Sequence, residues 1–380
     1  MTHTPEIRTI QEVSGWNGQT VFLRASLNVP VENGVVKNTY RLQHIVPTIT
    51  YLTERGARVL VAGHIGRDPQ ESLYPVCEAL QHFLPVSWGG DHTTDECQER
   101  INKMAEGSAL MLENLRHFPG EKTNDTAFSK QLGSLADSYV CDAFANMHRT
   151  HASMVGVPEY VPAYAGLRVQ AEVAALAAAQ TPQRPSLFIL GGAKFETKLN
   201  LIERYIEVYD EVFVGGALAH DVMRARGYEI GRSLVSDISL SEVPIIADRR
   251  LVLPLDVVVQ KVDGTVATVA LDAVEKEDTI YDCGPRTVDY LAKKAQDAAT
   301  VLWNGPLGNY EAGFTTGTEG TAIAVAESSA ASYVGGGDTV AAIQTVGRDK
   351  DLTFISTGGG AMLSYLEHGS LPGLAPLLRT

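Results

Sequence analysis

Sulfur, long apolar runs and excess positive charge are all scarce in this chain. Its 380 residues hold four cysteines, Cys77, Cys97, Cys141 and Cys283, and no Cys-x-x-Cys pair. That argues against a disulfide framework or a zinc site and suits reduced cytosolic thiols. No apolar run approaches the ~18 residues of a membrane span, and the segment Met1 to Arg8 has no apolar signal core, so a soluble, cytoplasmic protein without membrane association is expected. With 31 Lys and Arg against 45 Asp and Glu, the formal net charge is −14, which argues against nucleic acid or anionic membranes as partners. A cluster of cations in so acidic a chain reads as a local anion site. Also missing are a Ser, Cys or His nucleophile with its base, metal-ligand His/Cys spacing, the P-loop spacing GxxxxGK[ST], short internal repeats and low-complexity tracts.

What is present is an alternation of short β-rich runs with helical patterns, which argues for βα units, parallel sheets and an α/β fold. In the first half Val21–Ala25, Val59–Ala62, Leu110–Leu112 and Tyr139–Cys141 read as strands. Leu42, Ile45, Val46, Ile49 and Leu52 recur at helical spacing, and Pro47 implies that this helix starts late or kinks. In the second half Leu187–Leu190, Val212–Val214, Val257–Val259, Val301–Trp303, Tyr333–Val334 and Phe354–Ile355 read as strands, most running into glycine. At ~100–200 residues per domain the length fits two domains. The alanine-rich Val169–Ala179 reads as a helix between them, stopped by Thr181-Pro182-Gln183-Arg184-Pro185.

The most informative stretch is Leu187–Lys198, an apolar strand, a glycine pair, and two lysines, Lys194 and Lys198, four residues apart. Read as a helix start, it places both ammonium groups on one face beside unpaired N–H groups, suited to a phosphate chain. A plain tight turn followed by a solvated helix face is the other reading. Four more glycine-rich segments follow, Gly215–Ala217, Trp303–Gly308, Gly335–Thr339 and Ser356–Ala361. Successive N–H groups in such turns form anion-binding concavities. Asp338 suits Mg²⁺, a hard cation that takes carboxylate and phosphate oxygens, and equally suits the N-cap of the next helix. Glu311 reads as a ribose acceptor or as a solvated loop acid. In the first half Arg41, the His64–Arg67 segment, Arg116 and the His148–His151 segment lie near strand ends or loops. Singly each suits a surface ion pair; together they suit a pocket for a small polyanion, since arginine's fork matches carboxylate and phosphate oxygens. The chemistry is positioning and charge neutralisation, as in phosphoryl transfer.

With these residues in place, the chain resembles the phosphoglycerate kinase family from about residue 20 to residue 375. The resemblance is carried by Leu27-Asn28-Val29-Pro30, His64–Arg67, Leu112–Arg116, Asp142-Ala143-Phe144, His148–His151, Gly191–Lys198, Asp282-Cys283-Gly284-Pro285, Trp303–Gly308, Gly317-Thr318, Gly335–Thr339, Ser356–Ala361 and Leu371-Pro372-Gly373. It implies two doubly wound, Rossmann-like parallel-sheet domains, 1–165 and 183–366, joined by a hinge helix, 166–182, with a tail, 367–380, returning to the first. It implies that Ser26, Asn28, Arg41, His64, Arg67, Arg116 and Arg149 hold a phosphorylated three-carbon acid, 3-phosphoglycerate. It further implies that Lys198, Glu311, Gly335, Gly336, Gly337, Asp338 and Thr339 hold ATP or ADP with Mg²⁺ on Asp338, that Lys194 lies near the phosphoryl in flight, and that hinge closure brings Arg41 to the lysines. A monomer is expected.

One departure concerns the substrate pocket. Ser26 stands where the family has an aspartate that helps hold the acid and its hydroxyl. Gly63, Asp68 and Ala145-Asn146-Met147 are smaller departures. Two further readings therefore stay open: a kinase of a related phosphorylated acid, and a weakly active nucleotide-binding paralogue.

Overall fold

A computed structural model of the chain describes residues 5–193, 195, 198–237, 240 and 243–379. The chain divides into two compact units, one running to Ala174 and resuming at His368, the other spanning Ala175–Glu367.

The first unit is built on six parallel strands. In spatial order they are Ser87–Gly90, Ala109–Leu112, Arg58–Ala62, Thr20–Ala25, Ser138–Asp142 and Ala163–Ala165. The inner strands are buried along nearly their whole length, as expected when helices cover both faces of a parallel sheet. The helix Tyr40–Thr53 turns Leu42, Ile45, Ile49 and Leu52 into this core. It begins well before Pro47, so the late start expected from that proline is wrong. Proline cannot donate to the Gln43 carbonyl, and the burial of four apolar residues on one face outweighs that lost bond. The segment after Leu371 belongs to the same unit: the Gly373 N–H donates to the Met147 carbonyl at 2.9 Å, Arg8 N–H to Leu377 at 2.8 Å, and Arg379 pairs with Glu12 at 2.7 Å.

The helix Leu167–Gln180 carries the chain out of this unit. Its first N–H groups are capped from the sheet. Asp142 Oδ1, at the last residue of its strand, accepts from Arg168 at 2.8 Å and Val169 at 3.2 Å, and Thr48 Oγ1 accepts from Leu167 at 3.0 Å. Burial pushes the Asp142 carboxyl up to about 6 despite these bonds.

The second unit also has a six-stranded parallel sheet. Its spatial order is Leu251–Val252, Glu211–Val214, Ser186–Leu190, Thr300–Asn304, Ala331–Gly335 and Phe354–Ile355. Numbered along the chain this is 3-2-1-4-5-6, the doubly wound order, with its switch point between Ser186–Leu190 and Thr300–Asn304. All five glycine-rich segments lie at carboxyl ends of five neighbouring strands. The run Val257–Val259 is the exception to the expected parallel pattern. It falls in Asp256–Gln260, the centre of a separate antiparallel sheet between Val266–Ala270 and Thr279–Cys283. That pairing is long-range on one side and close in sequence on the other, so local composition does not distinguish it from a parallel strand.

Across the switch point the two central strand ends nearly touch. Gly191 N–H donates to Asn304 at 2.9 Å and Gly192 N–H to Pro306 at 3.0 Å. A Cβ on Gly191 would collide with the Gly305 and Pro306 carbonyls, which are backbone and cannot rotate away. Gly191→Ala is therefore expected to lower stability by about 1–3 kcal/mol, the range for overpacking, and to weaken nucleotide binding by spreading this crevice. Calorimetric unfolding and ADP titration of the variant check both effects.

Candidate active site

In the first unit the expected acid-binding residues converge. Ser26 and Asn28 follow Thr20–Ala25, His64 and Arg67 follow Arg58–Ala62, Arg116 follows Ala109–Leu112, and Arg149 follows Ser138–Asp142. These are four adjacent strands of one sheet, and all four loops leave at the carboxyl end. Arg41 lies in the first turn of Tyr40–Thr53, and its guanidinium donates to the Asn28 carbonyl at 2.6 Å. Asn28 Oδ1 in turn accepts from Gly66 N–H at 2.9 Å, and Arg116 donates to the Gly66 carbonyl. Asn114 braces the same loop, accepting from Ile65 and Arg116 N–H and donating to the Ile65 and Glu71 carbonyls. Arg149 is half-buried and donates to His148 Nε2 at 3.3 Å; Arg67 is exposed on a loop held by Glu71; Ser26 is buried.

Two residues not anticipated from sequence organise this cluster. Arg24, fully buried within the first strand, donates to Ser153 Oγ at 2.8 Å and to His64 Nδ1 at 2.9 Å. Glu121, also fully buried, accepts from the Ser153 hydroxyl at 2.6 Å and its N–H at 3.0 Å, with His151 Nδ1 3.7 Å away. Burial alone would raise the Glu121 carboxyl, but the His151 and Ser153 bonds and nearby Arg24 hold it below the ordinary carboxylate range. The available signal was Arg24 itself, one charge within the apolar run Val21–Ala25.

The His64 tautomer follows from these contacts. Arginine can only donate, so Nδ1 accepts and the proton sits on Nε2. Burial, with Arg24, Arg116, Arg149 and His151 around it, holds the imidazole far below its ordinary pKa and therefore neutral. Its Nε2–H is buried without a partner. Arg41 is depressed by burial, and Arg116 and Arg149 by burial and by one another or Arg24. Among the described residues none of Arg41, Arg67, Arg116 and Arg149 forms an ion pair with a carboxylate. An orphan donor among cations without carboxylate partners, in a chain of net charge −14, is an arrangement suited to an anion.

The second unit holds a cavity of about 550 Å³ at the carboxyl ends of its sheet, lined in part by Gly192, Gly216, Leu307, Gly308, Glu311 and Asp338. Glu311, in the short turn Tyr310–Ala312, and Asp338, in the first turn of Gly337–Thr345, both reach it. Asp338 is not the N-cap of its helix, the alternative its sequence position offered. Gly336 holds that place at φ 107°, a conformation that favours glycine, and this frees the carboxylate for the cavity. Gly335 and Thr339 are buried beside it, and Thr339 Oγ1 accepts the Gly305 N–H at 3.1 Å, tying one glycine-rich loop to the next. Gly337 is exposed at the helix start.

The helix start expected across Lys194 and Lys198 falls in part outside the described residues; among those described, Lys198 is the N-cap of Leu199–Ile206, and its N–H donates to the Phe195 carbonyl at 2.8 Å. Phe195 is fully buried. Lys194 lies outside the described residues. Lys198 Nζ donates to the Gly191 carbonyl at 2.5 Å, and burial pulls its pKa down to about 8. Among the described residues no group of three or more His, Cys, Asp or Glu gathers as a metal cage. A single carboxylate at a cavity rim is still the donor set that Mg²⁺ takes when phosphates supply the other ligands.

The phosphoglycerate kinase family model matches residues 10–369. Named phosphoglycerate kinases from Rubrobacter xylanophilus and Dictyoglomus turgidum are 42% and 40% identical, the alignments covering 95% of this chain in each case and 95% and 96% of theirs. The solved phosphoglycerate kinase structures from Pyrococcus horikoshii and Coxiella burnetii superpose with TM-scores of 0.86 and 0.84, at 30% and 35% identity over 98% of both chains. The chain belongs to the phosphoglycerate kinase family and is a kinase.

The lowered Lys198 pKa has a measurable consequence. Its folded value of about 8 lies below its ordinary 10.5, so the stability it lends is present above the latter and lost as pH falls through the former. A bound polyanion returns the pKa upward. ADP binding at pH 8 is expected to take up about half a proton through this group and almost none at pH 6. Calorimetry in buffers of different ionisation enthalpy measures the uptake, which Lys198→Met should abolish.

Proposed function

We propose that this member of the phosphoglycerate kinase family transfers a phosphoryl group reversibly between ATP and the carboxylate of 3-phosphoglycerate, giving 1,3-bisphosphoglycerate and ADP. A carboxylate oxygen attacks the γ-phosphorus, the bond to the ADP oxygen breaks, and no proton changes hands. This suits a site with no base to offer. The observation that carries the reading is the orphan His64 Nε2–H among Arg24, Arg116 and Arg149.

In this reading Asn28, Arg41, His64, Arg67, Arg116 and Arg149 hold the phosphate and carboxylate of the acid, with Ser26 near its hydroxyl. Glu311 accepts from the ribose, and the turns at Gly192, Gly216 and Gly335–Thr339 cradle the phosphates. Asp338 would hold Mg²⁺, which supplies neutralisation of the phosphate charge. Lys198, and Lys194 with it, offset charge on the transferring group. Two polyanions repel one another, so the reacting complex requires cations of both units around the phosphoryl and exclusion of water, by closure of one unit on the other. A cytoplasmic monomer is part of the proposal.

A coupled assay with Mg-ATP and 3-phosphoglycerate tests the reaction. Turnover of about 1–10³ s⁻¹ is expected, and ADP binding without turnover would leave a binding module. Arg41→Ala should lower kcat by about 10²-fold, the effect of removing one donor to a developing charge; a change confined to KM refutes its role in the transition state.

Ser26 favours a second reading, a related phosphorylated acid, because a neutral hydroxyl replaces the family's carboxylate. Ser26→Asp should raise kcat/KM for 3-phosphoglycerate about tenfold, the worth of one charge-assisted hydrogen bond. Unchanged kinetics in the variant would sink the substrate-shift idea.

A further inference from the structure

The helix Tyr40–Thr53 buries one hydroxyl on the side that carries its apolar residues. Thr48 is fully buried, as are Leu42, Ile49 and Leu52, and it directly follows Pro47. Seven residues separate it from Arg41, so the two lie on one face of the helix, about 10 Å apart along the axis.

This hydroxyl is turned away from its own helix. Thr53, in the last turn, bonds back to the Ile49 carbonyl at 3.0 Å, the local use of a helical hydroxyl. Thr48 reaches other elements instead. Its oxygen accepts Leu167 N–H at 3.0 Å, and its proton goes to the carboxyl of Asp142, the last residue of the strand Ser138–Asp142. Asp142 is fully buried and is itself held, because its Oδ1 accepts from Arg168 and Val169 N–H. Gly166 N–H, just before that helix, donates to the Cys141 carbonyl at 2.8 Å. Thr48 is therefore bonded to a fixed point of the sheet.

The turn that carries Arg41 depends on such a point. Pro47 has no N–H for the Gln43 carbonyl, so the hydrogen-bond ladder is interrupted between Arg41 and Thr48. At its far end the Arg41 guanidinium bonds to the Asn28 carbonyl. We propose that Thr48 is a positioning residue for Arg41: through Asp142 it locks this helix to the sheet in the register that presents the guanidinium to the acid. This rests on the kinase reading, in which Arg41 contacts the acid, and adds the contact that sets its place. A threonine that only filled space could be replaced by valine, which has the same shape. A positioning threonine requires the hydroxyl, and its effect on the reaction passes through Arg41.

Steady-state kinetics of the full chain with Mg-ATP and 3-phosphoglycerate, in a double-mutant cycle, separate these roles. Thr48→Val should lower kcat/KM for the acid about tenfold, since a displacement of ~1 Å at a reacting group costs up to about 10²-fold. In an Arg41→Ala background the same change should cost less than about twofold, because the group it places is gone. Thr48→Ser keeps the hydroxyl and should hold kcat/KM within about twofold of the wild-type value. Unchanged kinetics in Thr48→Val, or an equal loss in both backgrounds, overturns the inference. A tenfold loss in Thr48→Ser overturns it as well, and that variant decides the matter if Thr48→Val does not fold. A wild-type chain without turnover overturns the kinase reading instead, and this inference with it.

Discussion

Positive charges packed together around one fully buried carboxylate, Glu121, are what the rest of this molecule is arranged to sustain. Arg24, Arg116 and Arg149 depress one another or His64, and Arg41 is depressed by burial alone. Such a cluster would splay apart on a flexible scaffold. It persists because Arg24 lies within one strand of a single sheet and Arg116 and Arg149 follow other strands of it at the same end, and because Asn28, Asn114 and the fully buried Glu121–Ser153 pair hold the loops in place. The folded chain thus spends stability to keep a hole of anionic shape, and an anion that fills it recovers that stability as affinity.

The second unit meets the same demand by different means. It relies on backbone. The close approach of Gly191 to Pro306, the tie from Thr339 to Gly305, and Gly336 in its unusual conformation gather the glycine-rich strand ends beside one cavity. In the proposed reading one unit holds its anion with guanidinium groups, which suit the compact charge of a small acid, and the other uses turns and a helix start, which suit an extended phosphate chain.

The parts of this arrangement that depend on local chemistry were legible in the sequence. Glycine after an apolar run marks a strand end, and five such runs mark one edge of a sheet. The basic residues near strand ends in the first half also read directly as an anion pocket. What escaped depends on contacts distant in sequence. Val257–Val259 looks like its parallel counterparts until its pairing with Val266–Ala270 and Thr279–Cys283 is known. Asp142, in one of the segments that carry the family resemblance, caps the helix Leu167–Gln180. Arg24 stands out in the sequence as one charge within an apolar run, but its role follows only from its partners, Ser153 and His64.

The segment after Leu371 carries a consequence for synthesis. Its carbonyls and N–H groups bond to Arg8 and Glu6, and the extended residue Thr9 pairs with Ala165, so the outer edge of the first sheet is closed by residues from both extremes of the sequence. On a ribosome, which emits the chain in order, residues 175–367 are available as one uninterrupted piece before that closing segment emerges. The unit whose translation begins first is the one that must wait, with its edge open, and the unit inserted within it can mature ahead of its host.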